Sequence, residues 1–339
     1  MATIRDVAKR AGVSIATVSR VVNSSDGVSE ETLRRVQEAI QALNFQPDFL
    51  ARSWRTRTTR TIAAVVRDSR PHHGLALQRA GAVALDHDYS LLLCTTYSNA
   101  EIERRYLEGL RQRQVDGLLI TTVGEADEEI RKFTEQGVPV VLMNRPLRDL
   151  GPLVDSVYVD SYRGSLDLVE HLIRLGHHHI AFVYEDTMHS FHTGERLRGY
   201  RDALARNDLP FDPNLVRSTR LASDDEATLP TADLVFSPRP TVVYAASYAV
   251  GLASLATFRA QGLRVPEDIA FVTFDDIPGA AFMDPPLTLV RNPAEDLGRV
   301  AAELVFERLA DPTRPTQEIK LQPSLVVRRS CGWPGLRPQ

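Results

Sequence analysis

The run from Ser14 to Asn23 constrains this chain more than any other segment, because it combines a helical apolar stripe with small polar residues. Val18, Val21 and Val22 recur at i, i+3 and i+4, which is the spacing of one buried helix face. The polar side chains of the run are left to face outward: Ser14, Thr17, Ser19, Arg20 and Asn23. Compact donors suit phosphate oxygens and groove edges, and arginine can bind guanine through two hydrogen bonds. The pattern therefore predicts a short helix that lies against DNA.

The flanking residues predict two further helices. Thr3 and Asp6 form a capping box at the start of a first helix, which ends at Gly12. Ser14 then caps the second helix almost at once, so the two helices meet at a steep angle. A third helix begins at Ser29 and carries an apolar face: Leu33, Val36, Ile40 and Leu43. This order is typical of a helix-turn-helix domain, and the alternative is a small helical cap without a nucleic-acid role.

These residues resemble the DNA-binding head of the LacI/GalR transcriptional repressors. The resemblance covers residues 2–23, 28–32, 44–47 and 51–53. It implies that Ile15, Ala16 and Arg20 read bases, and since the first two offer only apolar contacts, we expect Arg20 to supply most hydrogen-bonded readout. The DNA-binding residues expected from the resemblance are Thr3, Ser14, Ile15, Ala16, Thr17, Ser19, Arg20, Asn23, Ala51 and Trp54.

A basic segment from residue 47 to residue 60 follows the head, with four arginines and no acid after Asp48. The resemblance implies that it is a hinge helix, which is too short to be stable alone and folds when two copies meet on DNA. Relatives carry a leucine at the position of Trp54 that wedges into the minor groove. Here an indole takes that place, and the alternative is that Trp54 packs under the core.

Composition agrees with a DNA-binding head on a larger body. The first 60 residues hold ten Lys and Arg against six Asp and Glu. The remainder holds 30 basic residues against 38 acidic ones. The acidic remainder argues against a chain that coats nucleic acid throughout. With 339 residues and 43% hydrophobic content, two or three domains are expected. No apolar run follows Met1 and only two cysteines occur, so we expect no signal peptide, no membrane partner and a reducing cytoplasm.

Beyond residue 60, short β-rich runs alternate with amphipathic stretches, which indicates an α/β body with parallel strands and crossover helices. The predicted strands are 61–66, 91–94, 117–120, 138–143, 157–159, 180–184, 241–244 and 269–274. Helices are predicted near 101–114, 126–136, 162–175, 195–206, 248–261 and 294–310. This alternation alone does not predict two lobes.

The division into lobes follows from the resemblance. The resemblance extends into this body through three segments, Val115–Leu119, Gly262–Asp268 and Phe274–Ile277. It implies a core similar to periplasmic sugar-binding proteins, with two doubly wound lobes and a ligand in the cleft beyond the strand ends. The expected domains are a helix-turn-helix domain at 1–46, a hinge at 47–60, a core at 61–330 and a tail at 331–339. Lobe one takes about 61–159 and 292–320, and lobe two about 160–291 and 321–330.

The resemblance also places residues in the cleft. Asp275 follows a strand and suits a pair of sugar or nucleoside hydroxyls. The segment 70–73, Arg-Pro-His-His, replaces the common Asn-Pro-Phe-Phe, so two polar rings take the place of stacking aromatics. The expected effector-binding residues are His72, His73, Asn144, Arg145, Arg196, Arg220, Ser247 and Asp275. Because several replacements are basic, an acidic or phosphorylated effector stands as a hypothesis beside a sugar.

Signals for a metal site or an enzyme are weak. The consecutive His177, His178 and His179 cannot all point at one ion, and His189 and His192 have only loose ligand spacing. The sequence contains neither a P-loop nor a Gly-x-Ser-x-Gly elbow. We therefore predict no metal, cofactor or catalytic residue. The resemblance implies a homodimeric transcriptional repressor that binds DNA and is gated by a small-molecule effector. The alternative is a ligand-binding module or an enzyme on the same α/β core without a DNA role.

Overall fold

The computed structural model describes residues 2–22, 28–45, 58–68, 70–123, 126–146, 150, 153–185, 191–219, 234 and 236–332. Asn23, Ala51, Trp54, Arg220 and most of the predicted hinge helix lie outside these residues. The chain divides into two compact units, Met1–Thr59 and Arg60–Gln339. Among the described residues, no helix has the length and apolar character needed to cross a bilayer.

The described residues of the first unit form three helices, as the sequence predicts: α1 (Ile4–Ala11), α2 (Ile15–Val22) and α3 (Glu30–Ala42). The predicted capping box of Thr3 and Asp6 is present, and Gly12 ends α1 in the left-handed conformation at φ 65°. The three helices bury a common apolar core made of Val7, Ala8, Ala11, Val18, Val36 and Ala39. The apolar stripe of α2 therefore faces this core.

The second unit alternates strands and helices. Its strands are β1 (Thr61–Val66), β2 (Ser90–Thr95), β3 (Gly117–Ile120), β4 (Val140–Met143), β5 (Val154–Val159), β6 (Ile180–Glu185), β7 (Val216–Thr219), β8 (Val242–Ala245), β9 (Ala270–Phe274), β10 (Thr288–Arg291), β11 (Glu318–Leu321) and β12 (Ser324–Val326). Its helices are α4 (Pro71–Asp86), α5 (Ala100–Gln112), α6 (Asp127–Glu135), α7 (Ser161–Arg174), α8 (Phe191–Arg206), α9 (Tyr248–Ala260) and α10 (Ala294–Ala310).

Within the described residues, the strands form two six-stranded sheets, one for each predicted lobe. Lobe one has the order β11-β5-β4-β3-β1-β2, and lobe two has the order β12-β10-β9-β8-β6-β7. All described pairings are parallel except that of β10 with β12. The chain passes between the sheets after β5, after β10 and after β11, which confirms the predicted two-lobed, doubly wound architecture. Parallel sheets of this kind present their ligand sites at the carboxyl ends of the strands.

All eight predicted strands and all six predicted core helices are present, but the sequence missed several elements. The strands β7, β10, β11 and β12 have three or four residues each, and β11 alternates exposed and half-buried residues. Short strands with polar residues give a weak period-two signal. The helix α4 was also missed, because two histidines, a glycine and several alanines weaken its helical apolar pattern. Its Pro71 occupies the first turn, where a missing N–H has no cost.

Candidate functional site

The exposed face of α2 carries the residues that the sequence assigns to DNA. Ser14 caps the helix, since its Oγ accepts a hydrogen bond from the Thr17 N–H at 3.1 Å. Val18 is fully buried, whereas Ile15 is 47% exposed. Ala16 and Arg20 are exposed as well, and Thr17 and Ser19 are half-buried at the edge of the face. The structure thus presents a row of small and apolar side chains with one arginine, and the DNA contacts themselves stay a prediction.

A residue that the sequence did not single out fixes the joint between α1 and α2. Arg35 of α3 donates from Nη2 to the carbonyls of Ala11 and Gly12, the second at 3.3 Å. A Cβ placed on Gly12 would lie 2.7 Å from that same nitrogen. Both the positive φ and this close approach favour glycine here. The angle of α2 relative to α1 therefore depends on α3 through one guanidinium group.

In lobe one, the carboxyl end of β1 carries a compact charged cluster around Asp68. Its Oδ1 accepts from His73 Nδ1 at 2.7 Å and from the Arg70 N–H at 3.1 Å, and its Oδ2 accepts from Arg67 Nε at 3.3 Å. Burial raises the pKa of Asp68, but the hydrogen bond from His73 and the positive charges of its neighbours outweigh it and hold the pKa well below its usual range. The first turn of α4 is thereby attached to the end of β1.

In lobe two, Asp275 follows β9 in the left-handed conformation, with φ 74°. Its Oδ1 accepts from Arg196 Nη2 at 3.4 Å and from Asn292 Nδ2. Burial raises the pKa of Asp275, yet the charge of Arg196 and other donors lower it overall. Arg196 is fixed in turn by the Ala246 carbonyl and by the ring of Phe274, whose centroid is 3.8 Å from its guanidinium carbon. A buried carboxylate and a buried arginine therefore form one preorganised pair beyond the carboxyl end of β9.

His72 lies between the two clusters. Its ring centroid is 4.0 Å from that of His73, and its titration responds to the charges of both Asp68 and Asp275. Burial lowers the pKa of His72 to about 3, and the neighbouring His73 acts in the same direction. At neutral pH, His72 therefore offers the cleft one hydrogen-bond donor and one acceptor instead of a positive charge.

His192, in the first turn of α8, connects the lobes. Its Nε2 bonds to the Asn144 carbonyl in lobe one, and its Nδ1 lies 2.9 Å from Ser161 Oγ in lobe two. Because a carbonyl only accepts, Nε2 carries the proton and Nδ1 accepts from the serine hydroxyl. Burial lowers the pKa of His192 to about 4, with a second contribution from the positive charge of Arg196. Neutral His192 is thus held in one tautomer.

Two further contacts cross the cleft. Arg70 Nη1 in lobe one lies 3.8 Å from Glu185 Oε2 in lobe two. The ring of Phe191 in α8 meets the ring of Tyr158 in β5 edge-on, with centroids 5.9 Å apart. Together with the bond from His192, these contacts join the lobes directly through an ion pair, an aromatic pair and a hydrogen bond.

The structure brings together His72, His73, Asn144, Arg196 and Asp275 from the predicted effector set. Arg145 donates to Asp127 at 2.9 Å, and Ser247 caps α9 by accepting from the Val250 N–H at 3.4 Å. Their contact with an effector stays a prediction, as it does for the whole set.

Sequence reasoning missed five residues of this cluster: Arg67, Asp68, Glu185, His192 and Asn292. The first two follow β1 and Glu185 ends β6, so the strand-end rule that identified Asp275 would have found them. Asn292 follows β10, which was not predicted. His192 was considered only as a metal ligand, and its partners come from distant parts of the chain.

Among the described residues, no three His, Cys, Asp or Glu side chains are grouped so as to hold a metal ion. His177 has a structural role, because its Nδ1 lies 3.0 Å from Thr241 Oγ1 and its Nε2 lies 3.1 Å from the Cys331 carbonyl. It thereby fastens the turn after α7 to the last described turn of the chain.

Two family models match the chain. The model described as bacterial regulatory proteins, lacI family, matches residues 3–48, and the periplasmic binding protein-like domain matches residues 169–331. The HTH-type transcriptional repressor PurR of Aliivibrio fischeri (strain MJ11) is 34% identical over 338 residues, covering 97% of this chain and 98% of the relative.

Two solved structures are also similar. A complex of the transcriptional regulator CelR with cellobiose is 32% identical, with a TM-score of 0.69, and the match covers 97% of this chain and 100% of that one. The lac repressor dimer bound to operator and an anti-inducer is 26% identical, with a TM-score of 0.80, and the match covers 97% of this chain and 99% of that one. Each of these proteins is a transcriptional regulator and none is an enzyme.

Proposed function

Because this chain belongs to the lacI family of bacterial regulatory proteins, we propose that it represses transcription as a homodimer that binds a pseudo-palindromic operator and is gated by a small molecule bound between its lobes. The observation that carries the DNA role is the geometry of α2. Its apolar face is buried against α1 and α3, and its opposite face presents Ile15, Ala16 and Arg20. A helix held in this way fits the major groove.

The cleft favours a neutral ligand rich in hydroxyl groups. The described arginines of the two strand-end clusters face carboxylates: Arg67 and Arg70 face Asp68, and Arg196 faces Asp275. An anion would have to compete with these carboxylates, so the structure gives the hypothesis of an acidic effector little support. On the two side chains that donate to Asp275, two buried polar atoms lack a partner among the described residues, Arg196 Nε and Asn292 Oδ1. One is a donor and the other an acceptor, and a pair of hydroxyl groups satisfies both.

Exposed apolar side chains support the homodimer. In lobe one, Leu85 is 72% exposed, Leu93 on the edge strand β2 is 47% exposed and Tyr97 is 65% exposed. In lobe two, Phe282 is 93% exposed. Large apolar side chains that stay exposed in one copy can be buried where a second copy binds. A dimer gives two DNA-binding heads, and a regulator of chromosomal genes works in the cytoplasm, which we propose as its location.

The proposed function is tested with the full-length protein and a library of genomic fragments. We expect a few fragments to bind far more tightly than random duplex, and their binding to change in the presence of one sugar. Cellobiose, ribose, free phosphate and a sugar phosphate are the first probes, in the binding assay and in thermal unfolding. Saturation at about 100 times the dissociation constant stabilises the folded protein by roughly 2.7 kcal/mol. Equal binding to every duplex would reject the DNA role, and a response to phosphorylated compounds alone would reject the neutral ligand.

A further inference from the structure

The backbone of Arg60 is fixed from both sides where the chain enters lobe one. Its N–H donates to Asp116 Oδ2 at 2.7 Å, and its carbonyl accepts from the Ser90 N–H at 2.9 Å. Asp116 lies directly before β3, and its own N–H donates to the Thr61 carbonyl at 2.8 Å. One carboxylate and the starts of three neighbouring strands therefore define the path of the chain at this joint.

Arg60 adopts an unfavourable conformation at the joint. Its φ of 49° lies in the left-handed region, which a residue with a Cβ occupies only where its surroundings hold it there. Its side chain contributes little to this restraint, since Nη1 reaches the exposed Asp88 at 3.4 Å on the surface. The restraint comes from the charge-assisted hydrogen bond between the backbone N–H and Asp116, which is stronger than a bond between neutral groups.

Asp116 is in turn connected to the body of lobe one. Burial raises the pKa of Tyr89, and the negative charge of Asp116 and a hydrogen bond to it act in the same direction. The ring of Tyr89 meets that of Phe306 in α10 edge-on, with centroids 5.1 Å apart. The carboxylate that holds Arg60 is therefore itself positioned by a tyrosine packed against α10.

A single strand joins this restraint to the cleft. The joint lies at the amino end of β1, and Arg67 and Asp68 follow its carboxyl end. From Ile62 to Val66 the strand is buried, and it is paired with β2 on one side and β3 on the other. A buried strand with two neighbours moves as part of the sheet. A rotation of lobe one at the cleft therefore also moves Arg60, at the other end of β1 about 20 Å away.

We propose that Asp116 is a positioning residue that sets the direction in which the linker leaves the core and so couples lobe one to the DNA-binding head. This inference rests on the proposed function, because it needs a head that binds operator DNA. When residue 116 offers no side-chain acceptor to the Arg60 N–H, Arg60 returns to an ordinary negative φ, which changes the path of the preceding residues. Specific binding then falls, because two heads must be held at a defined separation, while non-specific binding by each head is unaffected.

The test compares full-length Asp116→Ala, Asp116→Asn and Asp88→Ala proteins with the wild type. Fluorescence anisotropy measures binding to the genomic fragment that the wild type prefers and to a scrambled duplex of equal length. We expect Asp116→Ala to weaken binding to the preferred fragment about tenfold and to leave the scrambled duplex unaffected. Asp116→Asn retains most of the affinity, since its Oδ1 still accepts from the Arg60 N–H. Asp88→Ala, which removes only the surface partner of Arg60, behaves like the wild type.

Amide hydrogen exchange gives a second readout that does not depend on DNA. The Arg60 amide should exchange faster in Asp116→Ala than in Asp116→Asn, while amides in β4 and β5 keep their protection. If the wild type prefers no fragment, the proposed function fails and the inference fails with it. If the wild type does prefer one, but Asp116→Ala and Asp88→Ala bind it alike, only the inference is overturned. Equal loss on both duplexes, or unchanged exchange at Arg60, also overturns it.

Discussion

Arg20 is the one exposed side chain of the predicted base-reading residues that can make two hydrogen bonds to a base. We predict that Arg20→Ala weakens operator binding by roughly 1 to 3 kcal/mol and relaxes specificity at one base pair. Anisotropy titrations against a set of duplexes, each with one base pair of the preferred fragment changed, measure both effects. A loss of equal size on every duplex would show that Arg20 contacts phosphate only.

The two histidines of the cleft predict how stability depends on pH. The pKa values of His72 and His192 fall from the ordinary value of 6.5 to about 3 and about 4. As the pH falls, the unfolded chain takes up these protons before the folded protein does. The contribution of the two histidines to the free energy of unfolding is therefore fully present above pH 6.5 and decreases as the pH falls toward 4. We predict that the unfolding temperature falls between pH 7 and pH 5.

A non-titrating variant isolates one of these groups. His192→Gln keeps a donor for the Asn144 carbonyl and an acceptor for Ser161, and it cannot take up a proton. Its unfolding temperature should therefore fall less between pH 7 and pH 5 than that of the wild type. The carboxylates Asp68 and Asp275 do not interfere, because their pKa values are lowered from 3.8 and they titrate below this window. Identical pH profiles for the two proteins would contradict the assignment.

At the scale of elements, α4 and α10 pack closely at Gly298. A Cβ on this residue would lie 1.8 Å from the Ala76 carbonyl oxygen, and the facing side of α4 is made of small residues, Ala76, Ala80 and Ala84. We predict that Gly298→Ala lowers the free energy of unfolding by about 3 kcal/mol, because the helices must separate. Urea denaturation followed by circular dichroism measures this loss.

Gly109 provides the matched control for this substitution. It lies within α5, and a Cβ placed on it would meet nothing within 4 Å. Gly109→Ala should therefore stabilise the protein by about 0.5 to 1 kcal/mol, as expected for alanine in an exposed helix. If both substitutions change the free energy of unfolding in the same direction, close packing is not the reason that residue 298 is glycine.

At the scale of the whole molecule, the prediction concerns assembly. Leu85→Lys places a charge on the exposed end of α4 and should convert a dimer into monomers, with loss of specific DNA binding. Tyr106→Lys is the control, because Tyr106 is 38% exposed on α5, which covers the opposite face of the lobe-one sheet. Analytical ultracentrifugation gives the mass of each protein. Dimers of unchanged stability in Leu85→Lys would place the interface elsewhere.

The sequence by itself determined the elements whose signals are local. The caps at Thr3, Gly12 and Ser14 and the valine stripe of α2 depend on neighbours within a few residues, and the buried central strands are continuous apolar runs. The short strands β7, β10, β11 and β12 and the helix α4 were missed, because their residues become strand or helix through packing against distant partners.

Only the tertiary structure decided which side chains share the cleft and what charge they carry there. Asp68, His192 and Asn292 come from three separate parts of the chain. The fold brings Asn292 onto Asp275, His192 near Arg196 and Asp275, and Asp68 onto His73. Arg70 and Arg145, two of the basic residues that suggested an acidic ligand, are paired with Asp68 and Asp127, at distances that no spacing in the sequence contains, whereas Arg220 lies outside the described residues. Burial then makes His72 and His192 neutral, because a charge without water around it is costly.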